Sequence, residues 1–455
     1  MNTSTLSPVT GSNEHGIGQG HNVDPNKSLK HGIWLYFILL IFEGALRKWI
    51  LPGLSTPLLI IRDPLALWLV ATTWRRGLLP QNIFLGGMIL AGVVGTYTAV
   101  VAGHGNLLVA LFGARPLLIH FPLIFVIGRV FNRDDVLKLG RILLWFVAPM
   151  TVLIAIQFFS PQSSFVNRGV GGDMTGAGFG GAMDYFRPPG TFSFTNGATL
   201  FFQFSATFIL FFLINPTRTN RLVLISASMG LLVAIPLSIS RGLLFQVIVS
   251  IVFLFFAMTR NPKFMFRMLG AAMGVTIVVA VLSKLSFFQT GLEVFMSRFT
   301  DANETEGGVK GVLGNRYLGS MAGPLYKSLD TPLLGNGLGI ATNVAVSLLS
   351  GSMQSKVMGT PDEEWGRNIY ELGPPLGLSV VLLRLGLDIK IGLACFRKLA
   401  SQDLLPWMLL SFGSLTLLQA QWAQPTSLGF CTLVAGLMIA SLRPTVSNSG
   451  KQMIG

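Results

Sequence analysis

Arg187-Pro188-Pro189-Gly190-Thr191-Phe192-Ser193-Phe194-Thr195-Asn196-Gly197 carries one fixed charge, two prolines that stiffen the backbone and two glycines that loosen it. It opens into an apolar stretch that lasts to about residue 214, and roughly 20 apolar residues is the length of a helix that crosses a bilayer. A charged, turn-forming segment suits the mouth of such a helix, where an arginine must be held at the lipid–water boundary. Runs of the same kind recur along the whole chain. Of 455 residues, 51% are hydrophobic and 11% charged, and the mean hydropathy is +0.62. A soluble chain carries about 25% charged residues. The fold class is therefore all-α, a polytopic helical membrane protein. A barrel would alternate polar and apolar residues over strands of about ten instead.

About twelve spans are predicted, at roughly 33–51, 57–74, 81–102, 113–131, 139–160, 194–214, 220–238, 241–258, 265–285, 372–396, 404–422 and 426–442. Residues 1–30 are polar and read as a disordered tail, so the first span acts as an uncleaved anchor. With that tail in the cytoplasm, the inside loops carry Arg75 and Arg76; Arg133 and Lys138; Arg218 and Arg221; Arg260, Lys263 and Arg267; and Arg397 and Lys398. Each is basic, as the positive-inside rule requires. The net charge of +14 is then a basic cytoplasmic surface and needs no nucleic acid. The organisation is a tail at 1–30, spans over 31–285 with an outer loop at 161–193, a large outer loop at 286–371, spans over 372–442, and a cytoplasmic tail at 443–455. The large loop has amphipathic stretches at 292–299 and 317–329, which favour a folded helical cap over disorder.

Topology does not account for the basic residues outside. Arg47, Lys48, Arg62, Arg115, Arg187, Arg241, Arg316 and Arg367 all fall near or beyond the outer boundary. An arginine near the membrane core costs several kcal/mol unless it is paired or reaches water. One reading is pairing with local acids, Glu43 for Arg47 and Asp63 for Arg62. The other is an anion site on the outer face, because guanidinium forks match phosphate oxygens. Arg187, Arg241 and Arg316 have few acids nearby, which favours the second reading for them. His120, within a span, reads as a hydrogen-bonded structural group, and His104 as an exposed loop residue. Neither has metal-ligand spacing. Cys395 and Cys431 lie in or beside apolar runs and do not suggest a disulfide framework. The glycine-rich segment 169–181 lacks the Gly-Lys-Ser/Thr of a phosphate loop and reads as a lid or spacer.

Four motifs resemble the O-antigen ligase and polysaccharide polymerase superfamily. They are Arg187-Pro188-Pro189-Gly190-Thr191-Phe192 before a span, Ser240-Arg241-Gly242 between two spans, Pro332-Leu333-Leu334-Gly335-Asn336-Gly337 in the large loop, and Glu371-Leu372-Gly373-Pro374-Pro375-Leu376-Gly377-Leu378 opening the next span. Phe42-Glu43-Gly44-Ala45-Leu46-Arg47-Lys48-Trp49 and Arg62-Asp63-Pro64 more loosely resemble exopolysaccharide polymerases. The resemblance implies a GT-C-like glycosyltransferase of the bacterial inner membrane that needs neither metal nor cofactor. Its substrate would be an undecaprenyl-pyrophosphate-linked oligosaccharide, transferred to a glycan acceptor at the periplasmic face. Flippase and chain-length-regulator proteins would be its partners. By position it implies that Arg187 and Arg241 hold the pyrophosphate, with Arg316 a third, and Arg115, Arg62 and Arg47 as further candidates. Ligases carry a histidine nine residues before the motif glutamate; here Asp362 stands there, in Asp362-Glu363-Glu364-Trp365. That departure favours a polymerase, or a ligase that uses a carboxylate.

The expected chemistry is attack of a sugar hydroxyl on the anomeric carbon with departure of the lipid pyrophosphate. Arginines stabilise the leaving charge. Glu364 or Glu363, with Asp362 and Glu371 close in sequence, is the candidate base. The bland alternative is that these acids pair with Arg367. A transporter or flippase of the same export pathway is the alternative class.

Overall fold

The computed structural model describes residues 25–259, 263–306 and 331–444, with Gly319 and Gly323. Arg260, Arg316, the stretch at 317–329 and most of both tails lie outside the described residues. The helices are α1 (Lys27–Ala45), α2 (Ser55–Leu58), α3 (Arg62–Arg75), α4 (Ile83–Val101), α5 (Leu107–Arg115), α6 (Phe121–Val130), α7 (Arg133–Phe159), α8 (Thr195–Ile214), α9 (Arg221–Leu237) and α10 (Arg241–Thr259). They continue with α11 (Lys263–Leu282), α12 (Ser286–Glu306), α13 (Asn343–Leu348), α14 (Ser352–Met358), α15 (Glu364–Leu372), α16 (Pro374–Ala400), α17 (Leu404–Gln419) and α18 (Pro425–Ser441). No strand occurs among the described residues.

Seven helical segments are long and apolar enough to cross a membrane: Lys27–Ile50, Pro52–Arg75, Ile83–Val101, Leu107–Val130, Arg133–Phe159, Thr195–Ile214 and Arg241–Thr259. The pair Ala272–Leu282 and Ser286–Thr300, bent by 102°, makes an eighth if it is one span. Helices α9, α17 and α18 are apolar but shorter. Helix α1 begins at Lys27, so the last residues of the expected tail form its first turn. The amphipathic stretch at 292–299 belongs to the longer α12, whose Val294 and Phe295 are buried.

Burial sorts the helices into a centre and a rim. Helix α8 buries Phe201, Phe202, Phe204, Phe208, Phe211 and Phe212, and α18 is buried on every face, against α6, α17, α8 and α7. Helices apolar all round belong at the centre of a bundle. Helices α4 and α11 instead turn Ile89, Leu90, Val93, Leu269, Met273 and Ile277 outward, as a lipid-facing rim would.

Polar contacts collect at two ends. At one, Lys30 pairs with Asp135 at 2.9 Å, Arg133 with Asp403 at 2.6 Å, and Arg443 Nη1 donates to the Phe131 carbonyl at 3.0 Å. Helix α7 runs from this end to the other, where it meets the 187–197 stretch. There the Gln157 carboxamide oxygen accepts from Gly190 N–H at 2.8 Å.

Candidate functional site

The 187–197 stretch is pinned from three sides. Pro189-Gly190-Thr191-Phe192 is a turn, with Phe192 N–H donating to the Pro189 carbonyl at 3.1 Å and Gly190 at φ +62°. A side chain at Gly190 would be strained there and would meet Met150 Sδ at 2.8 Å. The last turn of the first span, 46–50, is a wide π-type turn closed by Leu51 N–H to the Leu46 carbonyl at 2.7 Å. It turns Arg47 and Lys48 inward together. Arg47 donates to Ser193 Oγ at 2.9 Å and to the Ser55 carbonyl at 2.7 Å; Lys48 Nζ donates to the Gly190 carbonyl at 2.7 Å. Thr191 Oγ1 donates to the Ile41 carbonyl at 2.6 Å. Gly44 lets the backbones touch, since a Cβ there would lie 2.5 Å from the Phe192 carbonyl carbon and the Thr191 oxygen.

This framework delivers Arg187 to a cavity of about 710 Å³ at that end of the bundle. Arg241 and Gly242, in the first turn of α10, share it, as does Arg298 of α12. Ser240 prepares the start of α10: its Oγ accepts from Leu243 N–H at 3.3 Å and from Thr199 Oγ1 at 3.2 Å. The turn before it holds Ile239 at φ +47°, an unusual conformation for a β-branched residue, and Ile239 itself lines the cavity. Arg298 donates to the Gly181 carbonyl at 3.3 Å, and Arg187 N–H to the Phe179 carbonyl at 3.1 Å, so the glycine-rich segment is folded against the same place.

Acidic residues share the lining. Asp362, Glu363, Glu364 and Trp365 line the cavity, with the connector between α17 and α18 beside them. Asp362 and Glu363 are exposed, whereas Glu364 is only 3% exposed. One Glu364 oxygen accepts from Arg384 Nη1 at 2.6 Å and Arg367 Nη2 at 2.8 Å; the other accepts from Arg367 Nε and Trp422 N–H, each at 3.0 Å. Burial alone would raise its pKa, but Arg367 and Arg384 outweigh that and hold the carboxyl below the usual glutamate range. A carboxylate filled in this way is a poor proton acceptor, so Asp362 and Glu363 are the better placed of the three. Glu371 does not line the cavity. It pairs with Arg367 at 2.6 Å and accepts from Ala341 N–H at 3.0 Å, and burial pushes its pKa up.

The structure also sets Arg47, Arg62 and Arg115 apart from the cavity lining. Arg62 pairs with Glu43 at 2.9 Å and donates to the Pro425 carbonyl at 2.7 Å. Arg115 pairs with Asp63, whose other oxygen accepts from His120 Nε2 at 3.0 Å; the Tyr36 hydroxyl meets His120 Nδ1 at 3.1 Å. Acid pairing thus describes Arg62 and Arg115, but not with the partners expected: Glu43 serves Arg62 and lies 3.8 Å from Arg47, and Asp63 serves Arg115. His120 is hydrogen-bonded within the bundle. His104 is buried rather than exposed, with Nε2 3.0 Å from the Leu338 carbonyl. Cys395 and Cys431 are free and buried.

No protein-family model matches this chain. No curated protein matches it either. The site therefore rests on its own geometry: basic groups from α10, α12 and the 187–197 stretch line one cavity together with an acidic run. Sequence reasoning misses Arg298 and Arg384. Arg298 sits in an amphipathic stretch that hides its direction. Arg384 was signalled by a charge in the middle of a long apolar run, where pairing or function is the default expectation.

Proposed function

We propose that the chain is a glycosyltransferase of the bacterial inner membrane that polymerises or ligates undecaprenyl-pyrophosphate-linked glycan units at the periplasmic face. The single observation that carries this is the cavity itself, lined by Arg187, Arg241 and Arg298 together with Asp362 and Glu363. Three guanidinium groups at the end of an apolar bundle suit a pyrophosphate on a lipid, an anion held at the membrane boundary. The acidic edge suits activation of an acceptor hydroxyl. On this reading the arginines hold the leaving pyrophosphate, and Glu363 or Asp362 takes the proton of the attacking hydroxyl. Glu364 acts as a strut, and no cofactor takes part.

The topology belongs to the same proposal. It has twelve spans and a GT-C-like arrangement, with both termini cytoplasmic and α12 to α15 forming a periplasmic cap. Basic Arg75, Arg76, Arg133, Arg397 and Lys398 then lie inside, as the positive-inside rule asks. The flippase and the chain-length regulator of the export pathway are its expected neighbours.

The test is deletion of the gene followed by analysis of lipid-linked glycan. Single repeat units accumulate if the protein polymerises; long lipid-linked chains accumulate if it ligates. Complementation with Arg241→Ala or Arg187→Ala leaves the defect in place while the variant still inserts. Full activity of an inserted Arg241→Ala protein would sink the anion site, and an unchanged glycan pool with a missing small solute would point to a transporter.

A further inference from the structure

Besides its charged groups the cavity is lined by amide and hydroxyl side chains. Asn196, Thr199 and Gln203 follow one another at spacings of three and four residues, so they share one face of α8, and all three line the cavity. Amides in an otherwise apolar helix are costly to bury unless they are hydrogen-bonded. Asn196 Nδ2 donates to Gln424 Oε1 and, at 3.1 Å, to Ser427 Oγ, while its buried Oδ1 has no donor among the described residues. Gln203 Nε2 donates to the Gly242 carbonyl at 2.9 Å. Across the cavity Gln421 Nε2 donates to the Asp362 carbonyl at 2.7 Å, and the Trp365 indole N–H to the Leu418 carbonyl at 2.9 Å. Each group is fixed by a backbone or side-chain partner and still borders the cavity.

We propose that this amide face is the subsite for the first sugar of the glycan, the one attached to pyrophosphate, and that it takes an uncharged, hydroxyl-rich or acetamido sugar. The inference rests on the function proposed above and adds the sugar's chemistry. Fixed amides match hydroxyl and amide groups, and a site built to hydrogen-bond a substrate rejects analogues that leave its polar atoms unpaired. The Asn196 Oδ1 is an acceptor waiting for such a donor. Asp362 and Glu363 at the edge disfavour a carboxylated sugar by like charge. The pyrophosphate diester offsets two of the three arginine charges, and the two carboxylates outweigh the one that is left.

The test titrates the full-length protein in lipid nanodiscs with two probes, undecaprenyl pyrophosphate and the lipid-linked repeat unit extracted from the host strain. Asn196→Ala and Gln203→Ala are expected to weaken binding of the glycosylated lipid about five- to tenfold each, as loss of one hydrogen bond to a ligand does. They leave binding of undecaprenyl pyrophosphate unchanged, which also reports that the variants are folded. Asn196→Asp, which keeps the acceptor oxygen, is expected to retain more affinity for the glycosylated lipid than Asn196→Ala. Arg241→Ala weakens both probes. Unchanged affinity for the glycosylated lipid in all three amide variants overturns the subsite while leaving the proposed function standing. Wild-type protein that binds neither probe overturns the proposed function itself. A synthetic lipid-linked uronic acid that binds as tightly as its neutral counterpart overturns the charge selection.

Discussion

Glu364 shows how one side chain can look catalytic and be structural. It sits in the cavity wall, yet Arg367, Arg384 and the Trp422 N–H fill both of its oxygens. Removing one partner of a buried ion pair costs about 3–5 kcal/mol, because the remaining charge is left uncompensated. Glu364→Gln is therefore expected to lower the thermal unfolding midpoint clearly. Glu363→Gln and Asp362→Asn, at exposed positions, should leave that midpoint alone and reduce product formation about 100-fold or more if either is the base. The two effects separate in one assay pair, unfolding in detergent and glycan synthesis in membranes. The pH response has a definite sign. Glu364 has a depressed pKa, so its contribution to stability is present above the ordinary glutamate range and is lost as pH falls through the depressed value. Glu371 has a raised pKa, so its contribution is present below that range and is lost as pH rises through the raised value. Protection factors of the α15 amides, which take out the intrinsic pH dependence of exchange, should fall on strong acidification; factors that stay flat would show that the Glu364 clamp does not hold the helix.

At the scale of elements, the 187–197 stretch depends on the end of the first span. Arg47 and Lys48 act as its fasteners, and Gly44 is the gap it lies in. Gly44→Val forces backbone against backbone, and overpacking of this kind costs about 1–3 kcal/mol. We expect that variant to lose product as fully as Arg187→Ala, although Gly44 is not in the cavity, with a lowered unfolding midpoint that Arg187→Ala does not share. Wild-type activity in Gly44→Val would detach the first span from the site. The helices themselves were legible because runs of apolar residues at membrane length leave few alternatives. The role of Arg47 was not, because sequence shows the charge of a guanidinium and not its direction. A wide turn at 46–50 reorients two consecutive residues, and no local pattern announces it. Arg62 and Arg115 were ambiguous for a simpler reason: their acidic partners, Glu43 and Asp63, belong to other helices or turns, so proximity in sequence understated the pairing.

Across the whole molecule, the ionic contacts divide between two ends. The pairs Lys30–Asp135 and Arg133–Asp403 lie at one, and Arg187, Arg241, Arg298 and Asp362 line the cavity at the other. This yields a topology prediction that needs no substrate. Cysteine introduced at Asp362 should react with an impermeant maleimide from outside the cell, and cysteine at Asp403 only after the membrane is opened. The native Cys395 and Cys431 are buried and give little background. Labelling of both introduced positions from the same side would overturn the proposed orientation. From the sequence, 187, 241 and 362 are expected on one side of the membrane, since an even number of predicted spans separates them. That they share one cavity was not legible, because it depends on how α8, α10, α15 and α17 pack sideways.

Helix α18 is enclosed on every face, and the connector just before it supplies Gln421 and Trp422 to the site. During synthesis it is the last of the described helices to emerge. Until it docks, α6 and α8 have an unfilled apolar channel between them, Arg384 and Glu364 lack their Trp422 contact, and the cavity has no third wall. On the function proposed above, a nascent chain stays inert toward lipid-linked substrate until α18 is inserted, and chains released before that point are natural clients for membrane quality-control proteases.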